Sequence, residues 1–208
     1  AAKVALGSLG AITEITLQNR PTYNLHRIVY FQTLDWAIEN APDLIEKNEH
    51  FEMFYIPHTR KCLIILHKMH EGPLNPRMLS EDEDGVQDLI LLRKDLCWAP
   101  GSRKKIAQQF LKTGAIIEDY SDEAWRLLSQ ARVSKFNESE YHLPKKNGLA
   151  CFKKICEMMD SIKDSYYPIE FRTIKGDDAW LSTFYQRDSI SVAIHANYKE
   201  VYKYLVTD

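Results

Sequence analysis

The run YYPIEFRTIKGDDAWLSTFYQRDSISVAIH, residues 166–195, decides the fold. It contains two segments rich in β-branched and aromatic residues, 167–174 and 189–196, separated by the irregular loop GDDAWLSTFYQRD, and reads as two strands with a long connection. Immediately upstream, 145–162 carries Leu149, Phe152, Ile155, Cys156 and Met159 at helical spacing, which predicts an amphipathic helix with one apolar face. Before it, 135–143 alternates as KFNESEYHL and closes on Pro144, the pattern of a strand ended by a residue without an amide hydrogen.

Further from this centre the pattern repeats. Residues 24–31 read as a strand, and LDWAIENAPDLIEKN at 34–48 as a helix that Pro42 is expected to interrupt. Segments 51–56 and 62–68 read as a hairpin turning through Pro57, His58 and Thr59. Helical spacing returns over 104–113, 122–131 and 199–205, and the proline-containing, acidic stretch 72–101 is expected to be a variable surface insertion. These elements add up to an α+β fold, an antiparallel sheet with its helices gathered on one face. At the N-terminal end, VALGSLGAITEITLQ places a Gly-rich turn before a β-prone segment at 12–17, which reads as the last piece of something larger.

Composition narrows the function classes. Twenty-seven Lys and Arg stand against 29 Asp and Glu in 208 residues, so there is no net basic field to favour nucleic acid or an anionic membrane. The four cysteines form no C-x-x-C pair and are expected as reduced thiols. No apolar run approaches the roughly 20 residues of a spanning helix, and no basic stretch followed by an apolar block marks a leader peptide. The expected location is the cytoplasm or a membrane surface.

Glu170 and Arg172 lie two apart in an expected strand, so both side chains leave one face of the sheet. Such a pair can act as a unit, the carboxylate accepting a hydrogen bond from a substrate hydroxyl while the guanidinium faces developing negative charge. Spacing alone is met as well by a surface ion pair on an edge strand, a common and weak interaction. In the loop that follows, Trp180, Ser182 and Tyr185, with Phe184, Asp177 and Asp178, have the composition of a pocket wall for a polar ligand and equally that of packing between strand ends. His58, His67, His70 and Cys62 fit no zinc spacing, the acidic run at 80–85 lacks the spaced ligands of a calcium loop, and no metal is expected. No G-x-S-x-G occurs, so a hydrolase has no support.

Four separated blocks together resemble the aldonolactone oxidase family of vanillyl-alcohol-oxidase-like flavoproteins, which includes L-gulonolactone oxidase, D-arabinonolactone oxidase and alditol oxidase. The blocks are LGSLGAITEITLQ at 6–18, HFEMFYIPHT at 50–59, KFNESEYHLP at 135–144 and YPIEFRTIKGDDAWLSTFYQRDS at 167–189. The last is similar to the family's stretch around its E-x-R pair. The resemblance implies an FAD-dependent oxidoreductase that oxidises a hydroxyl of a sugar-1,4-lactone or, alternatively, of an alditol, and passes electrons to oxygen or another acceptor. It implies that Glu170 contacts substrate hydroxyls, that Arg172 stabilises reduced flavin, and that His195, at the end of the last strand, faces the substrate. Gly7, Gly10 and Ile12 would be the turn whose backbone approaches FAD. Residues 1–20 would end the FAD-binding domain, with its last strand, and 21–208 would be the substrate-binding cap domain. The family's Gly-rich pyrophosphate loop and its H-W-G-K motif do not occur in this sequence, so a chain cut at both ends and inactive by itself is expected. The rival expectation is a non-catalytic interaction domain that kept the fold.

Overall fold

A computed structural model describes residues 3–76, 105, 109, 111–129, 135–163 and 165–198. The insertion expected over 72–101 and the helices expected over 104–113 and 199–205 lie wholly or largely outside them.

Seven strands form one sheet in the order β4-β1-β3-β2-β6-β7-β5. The strands are β1 (Asn24–Thr33), β2 (His50–Ile56), β3 (Lys61–His70), β4 (Ile116–Glu123), β5 (Phe136–Pro144), β6 (Ile169–Ile174) and β7 (Ser189–Asn197). Every ladder is antiparallel, as the α+β reading expects. Helix α1 (Leu34–Lys47) follows β1, the short α2 (Ala124–Leu128) follows β4, and α3 (Lys145–Ser161) follows β5. None of the described helices is long and apolar enough to cross a membrane.

The strand period of two sorts side chains between the faces. Met53 and Tyr55 of β2, Ile64 of β3, Phe171 of β6 and Val192 of β7 are fully buried against Leu34, Ala37 and Ala41 of α1 and Phe152, Cys156 and Met159 of α3. Their neighbours in sequence, including Glu52, Glu170, Arg172 and His195, therefore project from the opposite face, which neither long helix covers. Helix α3 can lie close to β7 because residue 148 is Gly: a Cβ there would fall 2.1 Å from Ile190 Cγ1. The β2–β3 hairpin is tied to α3 at its turn, where Asp160 accepts hydrogen bonds from the Tyr55 hydroxyl and the His58 amide, both at 2.6 Å.

Three expectations change. Helix α1 runs through Pro42 without ending. The Thr33 hydroxyl caps its start by accepting from the Trp36 amide at 3.2 Å, and burial of Leu34, Ala37 and Ala41 on the sheet outweighs one lost backbone hydrogen bond. The helix expected over 122–131 shortens to α2, because Asp122 and Glu123 extend the edge strand β4, whose acidic sequence IIEDYSDE hides a strand that needs a partner to form. The β-prone segment at 12–17 forms no strand here: β-propensity without a neighbouring edge leaves backbone groups to water.

Candidate functional site

β6 carries the site residues because its even-numbered positions face away from the helices. Across the sheet, Glu170 lies opposite Phe54 of β2 and Ala193 of β7, and Arg172 lies opposite Glu52 and Ser191. One pleat along β7, His195 lies opposite Glu138 of β5, and Ala193 lies opposite Glu140. Register thus brings Glu170, Arg172 and His195 together on one face, beside Glu138, Glu140 and Ser191.

The geometry is that of a charged fork. Arg172 Nη2 donates to Glu140 Oε1 at 2.8 Å, and its Nε is 3.2 Å from Glu170 Oε1. Ser191 Oγ donates to the same Glu140 oxygen. Glu170 is only 3% exposed, and a carboxylate that deep is tolerated because a cation lies against it. Burial by itself would raise the Glu140 carboxyl, but the Ser191 hydrogen bond and the Arg172 charge outweigh it and hold it below the usual carboxylate range. Burial opposes the Arg172 charge as well, and Glu170, then Glu140, more than offset it.

His195 completes the cluster. Its Nδ1 is 2.9 Å from the Pro168 carbonyl oxygen, which only accepts, so that nitrogen carries a hydrogen. The other ring nitrogen, Nε2, is turned toward Glu138 Oε2 and Glu170 Oε2, each at 3.8 Å. Phe136 packs edge-on against the imidazole, with ring centres 5.0 Å apart. Glu138, Glu170 and His195 each bring one donor atom to within 4.8 Å of the others. That set suits a shared proton better than a metal ion, since the fixed charge of Arg172 already lies against Glu170 and opposes a second cation.

The loop after β6 stands apart. Ser182 Oγ donates to Asp177 Oδ2 at 2.5 Å, and the Tyr185 amide to the Ser182 carbonyl at 3.2 Å. Trp180 is 86% exposed and lines a cleft of about 250 Å³ with Lys3, Asp178 and Ala179. The hydrogen bonds of Ser182 and Tyr185 stay within the loop and do not reach the Glu170–Arg172 pair; Phe184, against His142 of β5 at 4.5 Å between ring centres, links the loop to the sheet. Gly7 and Gly10 hold positive φ, 67° and 118°, with no atom within 4 Å of an added Cβ, and Ile12 is exposed. Glu138 and Glu140, two apart in an alternating strand, share the spacing of Glu170 and Arg172 but not their opposite charges, so sequence reasoning misses them.

Comparison with known proteins shows the family and the fold. Residues 15–205 match the family model described as D-arabinono-1,4-lactone oxidase. The L-gulono-1,4-lactone dehydrogenase of Mycobacterium tuberculosis is 30% identical over 202 residues, covering 94% of this chain and 46% of that protein. The mouse (Mus musculus) L-gulonolactone oxidase is 25% identical over 194 residues, covering 91% of this chain and 44% of its own length. The chain thus spans about half the length of the curated relatives it matches. Among solved structures, cholesterol oxidase from Brevibacterium sterolicum superposes with a TM-score of 0.60 at 11% identity, over 88% of this chain and 44% of that one, a likeness of fold. With nearly all of its length inside the family match and three of its four sequence blocks carried on this sheet, the chain belongs to the D-arabinono-1,4-lactone oxidase family.

Proposed function

We propose that this chain supplies the substrate-facing wall of an FAD-dependent oxidoreductase that oxidises a hydroxyl of a sugar-1,4-lactone. The observation that carries the reading is the convergence of Glu170, Arg172 and His195 on the sheet face that neither long helix covers, in a chain of a lactone oxidase family. The same face supports the flavin. Glu170 and His195 are buried, whereas the Arg172 side chain keeps 36% exposure, so Arg172 is the charged group of the cluster that would meet a bound flavin. Gly7 and Gly10 are not enclosed by this chain, and their part would be to offer backbone to the cofactor.

Bound FAD would supply the two-electron acceptor; the protein groups bind, orient and move a proton. Glu170, ionised beside Arg172, accepts a hydrogen bond from a neighbouring substrate hydroxyl and so fixes the carbinol carbon. His195 Nε2 takes the hydroxyl proton, and the resulting imidazolium is stabilised by the carboxylates of Glu138 and Glu170. Arg172, charged at all working pH values, offsets negative charge that develops beside it. Trp180, Ser182 and Tyr185 would meet the distal part of the substrate only if the loop closes over the face.

The test is anaerobic mixing of the complete gene product with aldono-1,4-lactones and, separately, with alditols, following the flavin absorbance. Bleaching by a lactone and not by an alditol is the expected outcome. Bleaching by alditols alone would transfer the reading to polyol oxidation, and a protein that binds neither flavin nor lactone would leave an interaction domain in place of an enzyme.

A further inference from the structure

Resting on that reading, we propose that Glu140 is a positioning residue: with Glu170 it holds the Arg172 guanidinium in a two-carboxylate fork and sets how much of its positive charge reaches the cofactor face. The register makes the fork. Glu140, Ala193 and Glu170 lie side by side in one row across β5, β7 and β6. The central residue has only a methyl group, so the space between the two carboxylates is left for another side chain. Arg172 enters it from one pleat away, opposite Ser191, and donates to Glu140 at 2.8 Å while its Nε lies 3.2 Å from Glu170.

Glu140 is itself fixed. Ser191 Oγ donates to the oxygen that Arg172 also uses, so two donors converge on one carboxylate oxygen and limit its rotation. Held at one anchor, Arg172 could swing about its long side chain; held at two, its plane is defined. The arrangement has an electrostatic consequence too. Two carboxylates face one guanidinium, with Glu52 adding a third acidic neighbour to its field, so the group presents less positive charge than a lone arginine would. Glu140 therefore fixes the geometry of the cation at the expense of its strength.

These two effects carry opposite signs, which separates positioning from general damage. In the flavin-loaded complete gene product, Glu140→Gln removes a negative charge beside the cofactor face and should shift the flavin midpoint potential upward. The same change frees Arg172, and the limiting rate of flavin reduction by lactone should fall on the order of tenfold to a hundredfold, the usual result of a misplaced group. Glu140→Asp should recover the potential of the parent and part of the rate. In an Arg172→Gln background, Glu140→Gln should slow reduction little further, because nothing is left to position. Ser191→Ala, a milder change that keeps both charges, should lower the rate less than Glu140→Gln without moving the potential.

The potential is measured with a chemical reductant and dye, so it reads Glu140 whether or not lactone is the substrate. A Glu140→Gln protein with unchanged potential and unchanged reduction rate, or rate losses that add independently to those of Arg172→Gln, overturns the role given to Glu140 and leaves the lactone reading intact. A parent protein whose flavin no lactone bleaches overturns that reading instead, while an upward shift in potential would still support the fork.

Discussion

In the proposed reaction Arg172 is the residue on which the chemistry turns, because its charge is permanent and its fork is planar. An ammonium at the same place would be a point charge unable to engage Glu140 and Glu170 together in the geometry now held at 2.8 and 3.2 Å. Arg172→Lys is expected to slow single-turnover flavin reduction in the complete protein by about 10²–10³-fold, the range seen when a preorganised electrostatic group is lost. Reduction as fast as in the parent at saturating lactone would make Arg172 structural. Glu170→Gln should raise the flavin potential as Glu140→Gln does, because it too removes a negative charge beside Arg172, and should in addition weaken substrate engagement if the proposed contact with a substrate hydroxyl holds. Away from this cluster but on the same sheet face, His67 provides a second test. It is 2% exposed, accepts from Arg27 Nη1 at 3.1 Å, and faces His50. Burial first, then the charges of Arg27 and His50, lower its pKa from 6.5 to about 4. The folded state thus binds the proton less readily than the unfolded chain, so His67's contribution is complete above pH 6.5 and is lost as pH falls toward 4. Stability should drop by about 3 kcal/mol at most across that window. Equilibrium urea unfolding at several pH values should show a shallower dependence in His67→Gln, and identical slopes would contradict it.

At the scale of elements, the contact between α3 and β7 sets the position of the strand that carries Ser191, Ala193 and His195. That contact depends on Gly148. An alanine methyl would meet Ile190 Cγ1 at 2.1 Å and Cβ at 2.6 Å, and no χ1 rotation moves a Cβ. Gly148→Ala should therefore push α3 off the sheet, at a cost of about 1–3 kcal/mol or more, despite the higher helix propensity of alanine. A lowered denaturation midpoint checks this; a raised midpoint would mean that propensity wins and that the packing relaxes freely. The same contact accounts for the one-sided helix layer, because α1 and α3 cover the odd-numbered side chains of β6 and leave Glu170 and Arg172 to the other face.

For the whole molecule, a sheet covered by its long helices on one side presents the other as a broad surface, and the titratable residues of the site lie on that side. Glu138 and Glu140 come from β5, Glu170 and Arg172 from β6, and Ser191 and His195 from β7, so three neighbouring strands build the site, and the Pro168 carbonyl just before β6 fixes the His195 ring. Such a site is preorganised by the sheet's hydrogen bonds. The proposed activity is a property of the complete gene product, since this chain spans about half the length of relatives such as L-gulono-1,4-lactone dehydrogenase. Lactone-dependent bleaching in the complete gene product is the measurement that checks it.

The elements legible in the chain alone are those whose signal is local. Alternation in KFNESEYHLP and in the segments at 167–174 and 189–196, and helical spacing from Leu149 to Met159, name strands and a helix because side-chain direction follows the backbone period. The E-x-R spacing likewise put Glu170 and Arg172 on one face. Where the outcome depends on a partner, local signal fails. Pro42 stays inside α1 because the sheet holds that helix, β4 forms because β1 offers an edge to an acidic segment, and the segment at 12–17 has β-propensity but forms no ladder. That Glu140, 32 residues before Arg172 in the chain, joins Glu170 in holding it follows from strand pairing and from no local signal. Strand register is a property of pairs of segments, and a one-residue slip of β5 would have turned Glu138 and Glu140 into the helix layer.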